Sequence, residues 1–142
     1  MSSDCIFCSI VDGDVPGRVV HERTGTTAFL DVNPLAPGHT LVVPNDHVER
    51  LQDVPDEEVE DLYRTIHDLV PAVEKAVDAD ATNVAFNNGP AAGQEVPHLH
   101  CHVVPRFAED SGGPIHAAFG DRPDLDEKEL DGIADRLREH RQ

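Results

Sequence analysis

Lysine is scarce in this sequence, and basic residues as a whole are outnumbered by acidic ones. Only Lys75 and Lys128 are lysines, and 11 basic residues stand against 28 acidic ones, for a net charge of −17. A field of that sign repels the phosphates of nucleic acids and of anionic membranes, so neither is expected as a partner. Two interpretations remain: an ordinary acidic cytoplasmic protein, or a protein adapted to high salt, where screening weakens self-repulsion. The second is preferred, and we expect an extreme halophile as the source.

Long apolar runs are also missing. No stretch approaches the roughly 20 apolar residues that a membrane helix needs, and residues 1–4 do not resemble a signal peptide. We therefore expect a cytoplasmic protein.

Cysteine is rare as well: there are three cysteines, an odd number, and Cys5 and Cys8 form a Cys-x-x-Cys pair. In a chain with no export signal, that spacing predicts metal or redox chemistry before a structural disulfide.

The apolar pattern predicts a single α+β domain. A chain of 142 residues suits one compact domain, and no repeat or linker divides it. Strands are predicted at 18–22, 26–31, 39–43, 83–87 and 98–104, the first two forming a hairpin. From Val54 to about Val77, apolar residues recur at helical spacing, which predicts one long helix capped by Asp53 and kinked at Pro71. A terminal helix is marked by Leu130, Ile133, Ala134 and Leu137. This arrangement is typical of a mostly antiparallel sheet.

The strongest chemical signal is the alternation of His98, His100 and His102. Alternate side chains of a strand share a face, so we expect the three imidazoles to line one surface while the residues between them enter the core. Two functional interpretations stand on this pattern alone: a catalytic strand, or a zinc-binding strand, since His-x-His is a common ligand spacing. The glycine-rich loop 87–97 runs directly into these histidines. Its glycines allow backbone N–H groups to approach an anion, which favours phosphate chemistry.

Residues 98–104 follow the pattern His-φ-His-φ-His-φ-φ, where φ is apolar and Cys101 occupies one such position. In this motif the sequence resembles the histidine-triad (HIT) family. The upstream blocks 5–11, 28–34 and 37–44, and the residues 104–106 after the triad, are similar to that family too. The likeness covers nearly the whole chain and is closest to the prokaryotic Hint-like branch. It implies a HIT-like fold in one domain over 1–142, with a core at about 5–106 and a C-terminal extension at 107–142, and a homodimer.

The resemblance also implies a nucleotide-binding hydrolase or transferase. His100 would attack the α-phosphorus and form a nucleotidyl-histidine intermediate, and a neutral imidazole is a good nucleophile near pH 7. His102 and His39 match positions that stabilise charge on the phosphate. The implied nucleotide-binding residues are Asn87, Gly93 and Gln94 in the phosphate loop, Phe7, Ile10, Phe29 and Val32 in the base-binding wall, and Asp31 at the ribose. For Phe7 and Phe29, an ordinary core position is an equal alternative.

The resemblance also implies two further metal ligands beside the cysteine pair. Prokaryotic members add two histidines to such a pair, and the matching positions here are His47 and His98. Four nitrogen and sulfur ligands make a closed tetrahedral zinc site, which is structural and not catalytic. Two reduced cysteines in an N-terminal helical turn are the simpler alternative. A thioredoxin-like redox pair is less favoured, because no β-α-β unit surrounds it.

Two positions depart from the family. Glu95 stands where many Hint-like proteins carry Ser or Thr, and Pro97 stands where a larger residue is commoner. A carboxylate facing phosphate oxygens would repel the substrate, so we expect Glu95 to point to solvent or to an arginine such as Arg106. Gln94 alone would then contact the scissile region. The rival interpretation is a buried, protonated Glu95 that acts as general acid.

The substrate class that we prefer is nucleoside phosphoramidates or related adenylated compounds. Three alternatives stay open. One is a dinucleoside-polyphosphate hydrolase, and another is a nucleotide-binding regulatory protein with weak turnover. The third is a metallohydrolase that holds zinc at the histidine triad.

Overall fold

The computed structural model describes residues 4–141, which form a five-stranded antiparallel sheet and three α-helices. The strands are β1 (Val19–Arg23), β2 (Thr26–Leu30), β3 (Thr40–Pro44), β4 (Ala81–Phe86) and β5 (Cys101–Arg106), in the spatial order β1-β2-β3-β5-β4. The helices are α1 (Ile6–Asp12), α2 (Asp56–Val77) and α3 (Glu127–His140). This architecture confirms the predicted α+β class with a mostly antiparallel sheet.

The hairpin of β1 and β2 turns through Thr24 and Gly25, as the sequence predicts. Gly25 has a φ of +79°, a left-handed conformation that glycine adopts without a steric penalty. Strand β3 pairs with β2 and then with β5, and Leu41 lies opposite His102. This pairing brings His39, just before β3, onto the same face as His102, because alternate residues of a strand share a face.

Helix α2 covers one face of the sheet and continues through Pro71. It begins later than predicted, because its N-cap is Pro55 and Asp53 lies in a separate 3-10 turn, Leu51–Asp53. The helix buries an apolar stripe at three- and four-residue spacing, as an amphipathic helix does. That stripe includes Leu62, Ile66, Leu69 and Val73, which pack with Ala28, Val42, Cys101 and Val103 of the sheet.

A second apolar cluster occupies the opposite face of the sheet. It contains Phe29, Leu41 and Val43 together with Cys5, Phe7 and Cys8 from the segment that carries α1. Residues 41 and 43 alternate with Val42, which belongs to the α2 side, so the two clusters lie on opposite faces. The strand pattern therefore leaves the α1 face of the sheet available for a binding site.

The histidine segment differs from the prediction at its start. Strand β5 begins at Cys101, so His98, Leu99 and His100 precede it and do not belong to the ladder. The N–H of Leu99 donates instead to the carbonyl of Val48, with an N–O distance of 2.7 Å. This hydrogen bond ties the segment to the loop after β3. The side chain of His98 lies beside Cys5 and Phe7 of the α1-side cluster, whereas Leu99 packs in the core on the α2 side.

The chain divides into two compact units, one ending at Gly112 and one beginning at Gly113. In the second unit, α3 starts with a capping box between Asp126 and Glu129, and the predicted apolar residues Leu130 and Leu137 are exposed. The prediction of one domain with a C-terminal extension stays a prediction. Within residues 4–141, no helix is both long and apolar enough to cross a membrane.

Candidate active site

A cavity of about 630 Å³ opens on the α1 face of the sheet. One part of its wall is apolar and comes from α1, β2 and β3, namely Ile6, Phe7, Ile10, Phe29, Leu30 and Leu41. The other part is polar and includes Asp31, His39, Asn87, His100 and His102. The volume and the mixture of an apolar wall with a few converging polar groups are those of a small-molecule site.

His100 is buried in this wall and held in one tautomer. Its Nδ1 lies 2.8 Å from the carbonyl oxygen of His98. A carbonyl oxygen can only accept, so Nδ1 must carry the proton and donate it. The neutral ring therefore keeps the lone pair on Nε2, which is the nucleophilic nitrogen. The ring of Phe7 packs against His100 at a centroid distance of 5.1 Å and limits its rotation.

The tautomers of His39 and His102 follow from one backbone group. The N–H of Leu35 donates to Nδ1 of His39 at 3.0 Å, so the proton of neutral His39 is on Nε2. That nitrogen lies 2.9 Å from Nδ1 of His102 and donates to it. His102 then carries its own proton on Nε2. The chain of hydrogen bonds from Leu35 through His39 thus prepares His102 as a donor.

Burial keeps His39 and His102 neutral. Desolvation is the largest cause that lowers the pKa of His102, to about 4, and its neighbours His100 and His39 lower it further. Burial likewise lowers the pKa of His39. Asp31 opposes both shifts, since one of its carboxylate oxygens lies 3.6 Å from Nε2 of His39. At neutral pH both imidazoles are uncharged hydrogen-bond donors.

Asp31, His39 and His102 also offer three ligand atoms within 4.8 Å of one another. A metal at this point would need the lone pair of His39 Nε2, because its Nδ1 is engaged by Leu35. The same nitrogen carries the proton that it donates to His102. The hydrogen bonds therefore favour an imidazole pair over a metal centre at Asp31, His39 and His102.

A separate cluster brings together Cys5, Cys8, His47 and His98, whose four ligand atoms lie within 4.8 Å of one another. Nδ1 of His98 is 3.3 Å from the sulfur of Cys5, and Nδ1 of His47 is 3.4 Å from the sulfur of Cys8. Zn–S and Zn–N bonds of usual length in a tetrahedron place sulfur and nitrogen about 3.5 Å apart. Nε2 of His98 donates to the carbonyl of Pro44 at 2.8 Å, which leaves Nδ1 to face the thiols. These four residues fit a structural zinc ion.

In the loop before the histidines, some residues line the cavity and one binds backbone groups. Asn87 and Gly93 line the cavity, as does Glu95, which is otherwise exposed. The side-chain amide of Gln94 is bound by backbone: its oxygen accepts from Gly89 at 2.8 Å, and its nitrogen donates to Glu49 and Val96. Gln94 thus shapes the loop and does not line the cavity of the described chain. Its expected contact with the scissile region stays a prediction.

Arg106, the arginine named as an alternative partner of Glu95, makes hydrogen bonds to Asp110, at 2.8 Å, and to Asn83. Glu95 is exposed as predicted, but it faces the cavity mouth. Cys101 is buried beside the histidines, and burial raises the pKa of its thiol to about 12, so this cysteine is inert.

Comparison with known proteins agrees with this geometry. Residues 12–109 match the family described as HIT domain. The chain belongs to the HIT family. An uncharacterized HIT-like protein of Methanocaldococcus jannaschii is 42% identical over 130 residues, which cover 90% of this chain and 99% of that protein. The adenosine 5′-monophosphoramidase of Saccharomyces cerevisiae is 38% identical over 112 residues, which cover 79% of this chain and 68% of that protein.

Solved HIT structures share the fold. A protein of Streptococcus mutans superposes with a TM-score of 0.87 at 35% identity, covering 98% of this chain and 86% of that one. A zinc-bound histidine triad family protein of Mycobacterium smegmatis gives a TM-score of 0.71 at 34% identity, covering 97% of this chain and 98% of that one.

The HIT motif therefore divides between two sites. His100 and His102 face the cavity, and His98 faces the neighbouring cysteines. Leu99, Cys101 and Val103 pack in the core on the α2 side, so the three imidazoles lie on the α1 face, as the strand pattern predicts. Phe7, Ile10, Phe29, Asp31 and Val32 all line the cavity. Sequence reasoning missed Leu35, whose contribution is a backbone N–H and leaves no trace in residue type. The one signal was its place in the loop 33–38, directly before His39.

Proposed function

We propose that this HIT protein is a nucleotide hydrolase that cleaves nucleoside phosphoramidates or related adenylated compounds at the α-phosphate. The observation that carries the proposal is His100, a buried imidazole that lines the cavity and whose Nδ1 is bound to the His98 carbonyl, which leaves Nε2 as the nucleophile. The similarity to an adenosine 5′-monophosphoramidase supports the same class of substrate.

In the proposed reaction, Nε2 of His100 attacks the α-phosphorus and a P–N bond to the histidine forms as the bond to the leaving group breaks. The leaving amine takes a proton from solvent as it departs, and the attacking water returns one proton to solvent in the second step. Water then attacks the nucleotidyl-histidine, which releases the nucleoside monophosphate and restores His100. The Nε2–H of His102, prepared by His39, donates to the phosphate oxygens as charge develops on them.

The rest of the cavity suits a nucleoside. Phe7, Ile10, Phe29 and Val32 would pack against the base, and the Asp31 carboxylate would accept from the ribose hydroxyls. Asn87 and Gly93 stand where the phosphate loop is expected. For Gln94, we assign the shaping of this loop through its three hydrogen bonds to backbone.

The charges in the cavity favour a phosphoramidate over a dinucleoside polyphosphate. Among the described residues, the charged side chains that line the cavity are Asp31 and Glu95, and neither lysine nor arginine does. A polyphosphate chain carries several negative charges, which neutral histidines do not compensate. A phosphoramidate carries one negative charge at the phosphate and a neutral or cationic amine, which two carboxylates tolerate.

Replacement of the nucleophile tests the proposal. His100→Ala should reduce kcat on adenosine 5′-phosphoramidate by at least a thousandfold, while the Kd for AMP stays within about tenfold, because the side chain acts mainly as the reaction proceeds. His140→Ala, at the exposed end of α3, is the matched control and should keep normal turnover. Near-normal kcat in His100→Ala would exclude the covalent mechanism. A higher kcat/KM for dinucleoside polyphosphates than for phosphoramidates would exclude the substrate class.

Four further properties are part of the proposal. We assign a zinc ion to Cys5, Cys8, His47 and His98, supported by the tetrahedral fit and by the zinc-bound relative. Zinc bound there would supply a structural crosslink. We also propose a homodimer of the Hint-like kind, which the resemblance implies, and a cytoplasmic location, which is the expectation from the sequence. The net charge of −17 supports adaptation to high salt. Sedimentation in molar KCl tests the dimer.

A further inference from the structure

We infer that metal binding at Cys5, Cys8, His47 and His98 and nucleotide binding in the cavity are thermodynamically coupled, with Phe7 and the His98 backbone as the connecting elements. This inference rests on the proposed function, because it assumes that the cavity binds a nucleotide. Metal binding then raises the affinity of the neighbouring cavity for a nucleotide, in addition to supplying a structural crosslink.

The first connection is α1. This helix has seven residues, follows Cys5 directly and contains Cys8. A helix of that length has little stability of its own, so its position depends on its anchors. Between the two cysteines stands Phe7, whose ring contacts Phe29 at a centroid distance of 5.3 Å and lines the cavity. The two thiols and the cavity wall are therefore parts of one short segment.

The second connection is His98, which serves both sites with different atoms. Its Nδ1 faces the thiols, and its carbonyl oxygen accepts the hydrogen bond that fixes the tautomer of His100. The ring of Phe7 also packs against His98, at a centroid distance of 5.9 Å. A displacement of the whole residue His98 away from the thiols would move its carbonyl oxygen as well and disturb the orientation of His100.

The sign of the coupling follows from what holds α1 when no metal is bound. Thiols are weak hydrogen-bond partners. Among the described residues, α1 is also held by the small apolar cluster in which Phe7 packs with Phe29, Leu41 and Val43. A metal that binds all four ligands favours the position of α1 in which Phe7 also lines the cavity. A ligand that prefers this arrangement binds more tightly to the loaded protein, and linkage requires that the nucleotide tighten metal binding by the same factor.

The test uses Zn²⁺ and AMP as probes, in molar KCl. Calorimetry gives the Kd of AMP for zinc-loaded and chelator-stripped protein, and chelator competition gives the Kd of zinc with and without saturating AMP. We expect AMP to bind at least fivefold more tightly to loaded protein, with an equal factor for zinc. Phe7→Leu keeps the four ligands and should bring both factors close to one. Phe86→Leu, the same change on the α2 side of the sheet, is the matched control and should keep them.

A second measurement does not need stripped protein. The rate at which loaded protein releases zinc to a chromogenic chelator should fall at least fivefold with AMP, and Phe7→Leu should lose this effect while Phe86→Leu retains it. Equal AMP affinity of loaded and stripped protein, with the stripped fold intact by circular dichroism, overturns the coupling and leaves the proposed function standing. Equal release rates with and without AMP overturn it as well. Failure of AMP to bind to the loaded protein refutes the proposed function, and the coupling with it.

Discussion

Acid should destabilise this protein through His102, and the structure gives the size of the effect. In the folded protein, burial and the neighbouring histidines lower the pKa of His102 to about 4, whereas the unfolded chain has an ordinary histidine pKa of about 6.5. Between these values the unfolded state binds a proton that the folded state excludes. The free energy of unfolding must therefore decrease as the pH falls from about 6.5 toward about 4.

The magnitude follows from the two pKa values. At pH 5 the unfolded His102 is almost fully protonated and the folded His102 is almost fully neutral. Linkage then gives a loss of about 2 kcal/mol in the free energy of unfolding between pH 7 and pH 5 from this one group. His39 and His98, whose pKa values burial also lowers, add losses of the same sign.

Substitution isolates the contribution of His102. His102→Asn removes the titrating ring, and its amide oxygen can still accept from His39. Urea unfolding at pH 7, 6 and 5, at constant salt, should show that the variant loses about 2 kcal/mol less than the wild type over this range. His140→Asn removes an exposed histidine of α3 and should match the wild type. If His102→Asn loses as much stability as the wild type, burial of a neutral His102 is not the cause of acid sensitivity.

Three other predictions concern the metal site, the effect of salt and Glu95. About one zinc per chain should copurify, and Cys5→Ser with Cys8→Ser should lose it together with stability; elemental analysis that finds no metal in chelator-free preparations would contradict the assignment. The melting temperature, measured by calorimetry, should rise with KCl over the molar range because screening relieves the repulsion of a net charge of −17. Equal melting temperatures in dilute buffer would exclude adaptation to high salt. Glu95→Ser should change kcat/KM less than tenfold, under about 1.4 kcal/mol, because the carboxylate is exposed. A hundredfold loss in Glu95→Gln, with a shifted basic limb of the pH–rate profile, would instead indicate a general acid.

The sequence by itself determined the turns, helices and strands that depend only on neighbouring residues. The hairpin at Gly25, the amphipathic stripe of α2 and the strand alternation of β3 depend on side-chain periods of two or 3.6 residues, and each formed near its predicted position. The predicted cap was wrong by two residues, because Asp53 forms a turn of its own and Pro55 caps α2. Periodicity identifies an element more firmly than it locates the ends.

Tertiary structure decided which groups meet. The segment before β5 lies outside the ladder, where the N–H of Leu99 binds Val48, and His98 meets Cys5, Cys8 and His47 there. The amide of Gln94 binds Glu49, which lies 45 positions earlier, and this contact withdraws it from the cavity. The tautomer of His102 originates at the Leu35 N–H, far along the chain. Residue types show which chemistry is available, whereas backbone donors are alike at every position, so only the folded arrangement determines which imidazole nitrogen carries a proton.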